Sequence, residues 1–133
     1  MTLRRILLLI ISFAFAATAY AGPEGVTTDR YNVQIDLQNA YVGGLCIIKT
    51  DDTAVTASIV NEFGISLITF RYDKTRERMK IVDCVRHLNR PALRHILKRD
   101  FTNIINGYML SEKSRPINYI NEKHNITYNL RPL

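Results

Sequence analysis

The sequence predicts an α+β fold, mainly antiparallel β, in which a curved sheet or incomplete, half-open β-barrel carries one covering helix. Three observations predict it. Short apolar segments of strand length follow one another between residues 31 and 85, with turn residues between them. One amphipathic stretch opens on Asn89-Arg90-Pro91, and a last pair of apolar segments closes the chain.

The first element is a targeting segment. Arg4 and Arg5 give a positive start, residues 6–17 are apolar except for Ser12, and Ala19-Tyr20-Ala21 places small residues where signal peptidase reads them. Residues 1–21 are therefore expected to be a cleavable signal peptide, with residues 22–133 as one β-rich domain. The apolar run is shorter than the roughly 20 residues of a membrane span, so no transmembrane segment is expected in the mature protein. Export by a Sec-type signal implies the periplasm, or secretion.

From Tyr31 the chain alternates: Tyr31, Val33, Ile35 and Leu37 on one side, polar residues on the other. Residues 40–49 form a second strand, in which Gly43-Gly44 implies a bulge or bend. After a turn at 50–53, residues 54–60 and 65–72 form two strands joined tightly at Gly64, and 79–85 resume the pattern. Asn89 is placed to cap the helix and Pro91 to sit in its first turn. Leu93, Ile96, Leu97, Phe101, Ile104 and Ile105 make its apolar stripe, and Gly107 is placed as the terminator. Residues 117–120 and 125–130 form a final hairpin, for about seven strands and one helix.

The whole chain carries 18 basic and 12 acidic residues, a formal charge of +6. Removing Arg4 and Arg5 with the signal leaves 16 against 12, or +4, which does not suit nucleic acid. Cys46 and Cys84 would both reach an oxidising compartment, where a bridge spanning them would contribute about 4 kcal/mol. Two free thiols packed as small hydrophobes fit the sequence equally well.

Chemistry is sparse. Cys84 and His87 have a metal-like spacing but lack a second pair, and no phosphate loop, nucleophile elbow or zinc-protease motif occurs. No enzyme activity, cofactor or metal is expected. Residues 64–72 instead read as apolar on both faces, with Ile65 and Leu67 pointing one way and Ile68, Phe70 and Tyr72 the other. A single helix covers one face of only a few strands, so the sheet either curls onto its own side chains or leaves an apolar pocket. Arg90, Arg94 and Lys98, with Arg86 nearby, form a basic stripe suited to solvent, an anionic membrane surface or an acidic envelope partner.

The block Val60-Asn61-Glu62-Phe63-Gly64-Ile65-Ser66-Leu67-Ile68-Thr69-Phe70-Arg71-Tyr72, with Leu88-Asn89-Arg90-Pro91-Ala92-Leu93 and Leu97-Lys98-Arg99-Asp100-Phe101 downstream, resembles the LolA/LolB-like lipoprotein carriers of Bacteroidetes type. The resemblance spans about residues 36–101 and implies a half-pipe barrel with helix across its mouth. It also implies an apolar cavity for lipid or lipoprotein acyl chains, lined by Ile65, Leu67, Ile68, Phe70, Ile96 and Phe101. The chain departs from the family in its shorter mature length, its one evident helix and its lack of a lipid anchor or Trp-rich wall. The expected function is a periplasmic carrier or binding protein for an apolar ligand. The alternative is a non-catalytic envelope structural or interaction domain with a closed core.

Overall fold

The computed structural model describes residues 25–112 and 115–133; the signal-peptide reading concerns residues 1–21 and lies outside them. Five antiparallel strands run in succession: β1 (Thr27–Asp36), β2 (Tyr41–Thr50), β3 (Ala54–Val60), β4 (Ser66–Asp73) and β5 (Arg78–Cys84). Helix α1 (Pro91–Leu110) follows, then β6 (Ile117–Asn121) and β7 (Ile126–Pro132). The spatial order β5-β4-β3-β2-β1-β7-β6 makes one curled, half-barrel sheet with α1 against it. The pairing of β7 with β1, Tyr31 opposite Pro132 through Asp36 opposite Thr127, joins the final hairpin to the meander.

Alternation along each strand decides which residues enter the core. Tyr31, Val33 and Ile35 of β1 are buried, and their cross-strand partners continue the same face through Cys46, Ile59, Ile68 and Tyr128. The opposite face of β1 presents Asn32 and Gln34, both exposed. Turns are fixed by short polar side chains. Asp51 Oδ1 accepts from the backbone N–H groups of Thr53 (2.8 Å) and Ala54 (2.8 Å), which hold its carboxyl below the ordinary range. Asn61 Oδ1 does the same for Phe63 and Ile65, and Gly64 supplies the left-handed φ of +78° that this turn needs.

Gly44 answers a different demand. A Cβ there would stand 2.1 Å from the carbonyl oxygen of Val60, so only glycine lets β3 depart from β2 at this point. The strand continues through Gly43 and Gly44 with its pairing to β1 unbroken.

Residues 64–72 are not apolar on both faces. Val60 pairs with Ser66 and Ile59 with Ile68, which leaves Leu67 as the extra residue of a β-bulge. Beyond it the outward positions are Thr69 and Arg71, while Ile68, Phe70 and Tyr72 face the core. A second irregularity, between Thr69 and Phe70 against β5, leaves Val82 unpaired and 61% exposed.

Helix α1 is longer than its sequence signals imply, 20 residues or about 30 Å. Arg90, not Asn89, is the N-cap and makes no side-chain cap; Asn89 instead accepts from Arg94 Nη1 at 2.9 Å. Pro91 opens the helix as expected. Gly107 does not end it. The helix continues to Leu110, and the N–H of Ser111 bonds the Gly107 carbonyl. Gly107 does not adopt the left-handed φ of a terminator, and Ile104, Ile105 and Tyr108 keep the inner face of the helix packed.

The helix meets the sheet through rings. Phe70 and Phe101 stack at 4.0 Å between centroids, and Tyr128 meets Phe101 edge-on at 5.7 Å. Beside them lies Asp100, a carboxylate only 2% exposed on the apolar stripe. Tyr128 donates to its Oδ2 at 2.5 Å, and Asn121 Nδ2 lies 3.0 Å from each oxygen. Burial, then this bond, pushes the Tyr128 phenol far above its usual range and keeps it a donor. At the other end of α1, Tyr108 donates to Asp29 of β1.

The expected disulfide between Cys46 and Cys84 is not formed: both thiols are free. Cys46 pairs with Ile59, Ile59 with Ile68 and Ile68 with Cys84, so the cysteines lie three strand spacings apart. That is about 14 Å along the sheet, against the roughly 7 Å limit for a bridge. Burial pushes the Cys46 thiol up to about 12, and burial likewise raises Cys84.

Asp100→Ala strands the Tyr128 hydroxyl and the Asn121 amide together, and is expected to cost about 2–4 kcal/mol in a denaturant titration. A loss under about 0.5 kcal/mol, the range of ordinary surface changes, would show that the carboxylate is not a clamp. For the thiols, a thiol reagent should modify Cys84 slowly in the folded protein and Cys46 only after unfolding; rapid native labelling of Cys46 would contradict its burial.

Candidate functional site: an apolar groove at one end of the half-barrel

Antiparallel alternation brings the turns at 37–40, 61–65 and 122–125 to one end of the sheet, together with the β5–α1 segment at 85–90 and the start of α1. Between the first of these turns and the start of the helix lies an open groove of about 940 Å³. That volume is in the range of small-molecule sites. Its apolar surface comes from Leu37 in the β1–β2 turn, Val42 on β2, Leu67 at the bulge, and Leu88, Leu93 and Ile96 around the helix start. Polar groups are confined to a few positions, among them His87 and Arg90, and no Asp or Glu lines it.

Each wall has a local cause. The bulge re-aims Leu67 out of the strict alternation of β4, and its carbonyl accepts from the N–H of Val85 at 2.9 Å, tying the end of β5 beneath the groove. Leu93 and Ile96 are the first two members of the helix stripe, lying beyond the sheet's cover and half-buried; Leu97 and Phe101 lie deeper and are closed over.

The six residues proposed as lining therefore separate. Leu67 and Ile96 line the groove. Ile68, Phe70 and Phe101 are at most 1% exposed and belong to the packed core; the void among them is about 10 Å³, at the lower limit for a single water. Ile65 belongs to the turn and is 55% exposed. The half-pipe interior is thus filled by its own side chains, and the opening is at its end. Leu37, Val42, Leu88 and Leu93 were missed as lining. The signal available for Leu37 and Val42 was that both flank a turn at the apolar end of an alternating strand.

The basic stripe also separates. Arg90 lines the groove and is exposed; Arg86 lies in the same β5–α1 segment; Arg94 is half-buried against Asn89; Lys98 points to solvent two turns along α1. Among the described residues the one ion pair joins Arg115 to Glu112, so none of these four is neutralised by a carboxylate.

A second, polar cleft of about 280 Å³ lies between α1 and the last hairpin, with His95, Arg99, Lys123 and His124 around Asp100. Both Asp100 oxygens are already engaged by Tyr128 and Asn121. No group of three or more potential metal ligands occurs among the described residues, and no helix there is long and apolar enough to cross a membrane. Comparison of the chain with protein-family models, with curated proteins and with solved structures gives no match.

Proposed function

We propose that this protein is a binding or carrier protein of the bacterial envelope that holds an apolar chain, such as the acyl chain of a lipid or lipoprotein, in the groove at the end of its half-barrel. One observation carries the proposal: an open, mainly apolar groove of about 940 Å³ in a protein whose core is otherwise filled. Burial of apolar chain there is worth about 0.8 kcal/mol per CH₂, and a few such groups suffice for a transient complex. An envelope location is supported by the charged, apolar and small-residue sequence of residues 1–21. The chemistry proposed is non-catalytic and needs no cofactor.

The filled interior favours a second reading, an envelope interaction domain that works through its surface or the free edges of β5 and β6. A groove substitution separates the two, with a core substitution as its control. Leu93 is the third helical residue, where a carboxylate suits the helix N-terminus, so Leu93→Glu should leave the melting temperature within a few degrees while charging the groove wall. Binding of a fluorescent fatty acid should then weaken about tenfold or more. Phe70→Glu, which buries an unpaired charge, should abolish the cooperative melt. A wild-type protein that binds no such probe would favour the interaction domain.

A further inference from the structure

We propose that the groove selects an amphiphile with an anionic head group, the tail lying on Leu67, Leu93 and Ile96 and the head held at Arg90 and His87. The inference rests on the groove reading above and adds the ligand class to it. Four observations carry it. Apolar and cationic groups share one concave surface: Arg90 and His87 line the groove with the three tail-contacting residues. No acidic side chain lines that surface. Arg90 is exposed and has no carboxylate partner among the described residues, so its charge is available to a ligand. Its side chain takes no part in capping α1, so local structure does not account for a cation at this position.

Charge complementarity therefore favours an anion at the rim over a neutral or cationic head. Arg86 and Arg94 stand within four residues of Arg90 and add to the positive potential of the same segment. His87 lines the same groove and carries a ring N–H, a second donor of the right polarity for a carboxylate.

The test compares a long-chain fatty acid with its methyl ester, which keeps the tail and removes the charge, by displacement of a fluorescent probe from the full-length exported protein. The acid is expected to bind about threefold to tenfold more tightly at low salt, a preference that shrinks as salt is raised. Arg90→Gln should bring the acid to the affinity of the ester without altering the ester or the melting temperature. Leu93→Glu should weaken both. Equal binding of acid and ester to the unaltered protein would overturn the head-group assignment while leaving the apolar groove standing. Binding of neither would overturn the groove itself. Probe binding that falls as protein concentration rises, with a dimer appearing in sedimentation, would give the groove to a second copy of the chain and overturn the inference.

Discussion

A buried carboxylate ties the helix to the last hairpin across the sheet. Asp100 sits among Leu97, Phe101 and Ile104 on a face that apolar packing alone would leave free to slide, and its bonds to Tyr128 and Asn121 fix the helix in register with the last hairpin. A buried charge is costly unless its acceptors are filled, so the arrangement penalises every other register. The Phe70 to Phe101 stack supplies area and the carboxylate supplies position. Because β7 also pairs with β1, the hairpin that fixes the helix is itself fixed to the meander.

From that constraint the location of the groove follows. Once Phe101 is held over Phe70, the helix fills the concavity from its middle to its far end, where Tyr108 reaches Asp29. Its first turn is left standing beyond the deepest part of the sheet, with Leu93 and Ile96 only partly covered. The bulge at Leu67 supplies the matching apolar wall on the opposite side. The half-barrel therefore resembles a filled pipe with an open end, and its apolar groove is terminal.

Much of this was legible in the residues. The alternation of β1, the turns at Asp51 and Gly64, the helix stripe and the closing hairpin all express local rules of pleat, capping and φ, which a single sequence carries openly. What the sequence concealed were consequences of strand neighbourhood. Leu67 and Ile68 read as opposite faces until pairing shows a bulge between them, and Cys46 and Cys84 read as partners until two intervening strands separate them. Gly107 had the right type for a helix end but not the surroundings, since apolar packing carried the helix past it. Asp100 went unread within the helix stripe, and its partners come from a hairpin more than twenty residues away. Of the proposed lining, Leu67 reaches the groove through the bulge and Ile96 through its place near the helix start, whereas Ile68, Phe70 and Phe101 follow the strand and helix periods into the core and Ile65 lies in the exposed turn.

Placing the groove among turns has an evolutionary consequence. Residues 37–40 and 85–90 contribute to its wall but not to the central row of cross-strand pairs, so they can vary in length and chemistry while Asp100, the stacked rings and Gly44 keep the scaffold intact. The fold thereby separates heritable stability from the chemistry of the groove wall, and the connections can change by drift without passing through an unstable ancestor.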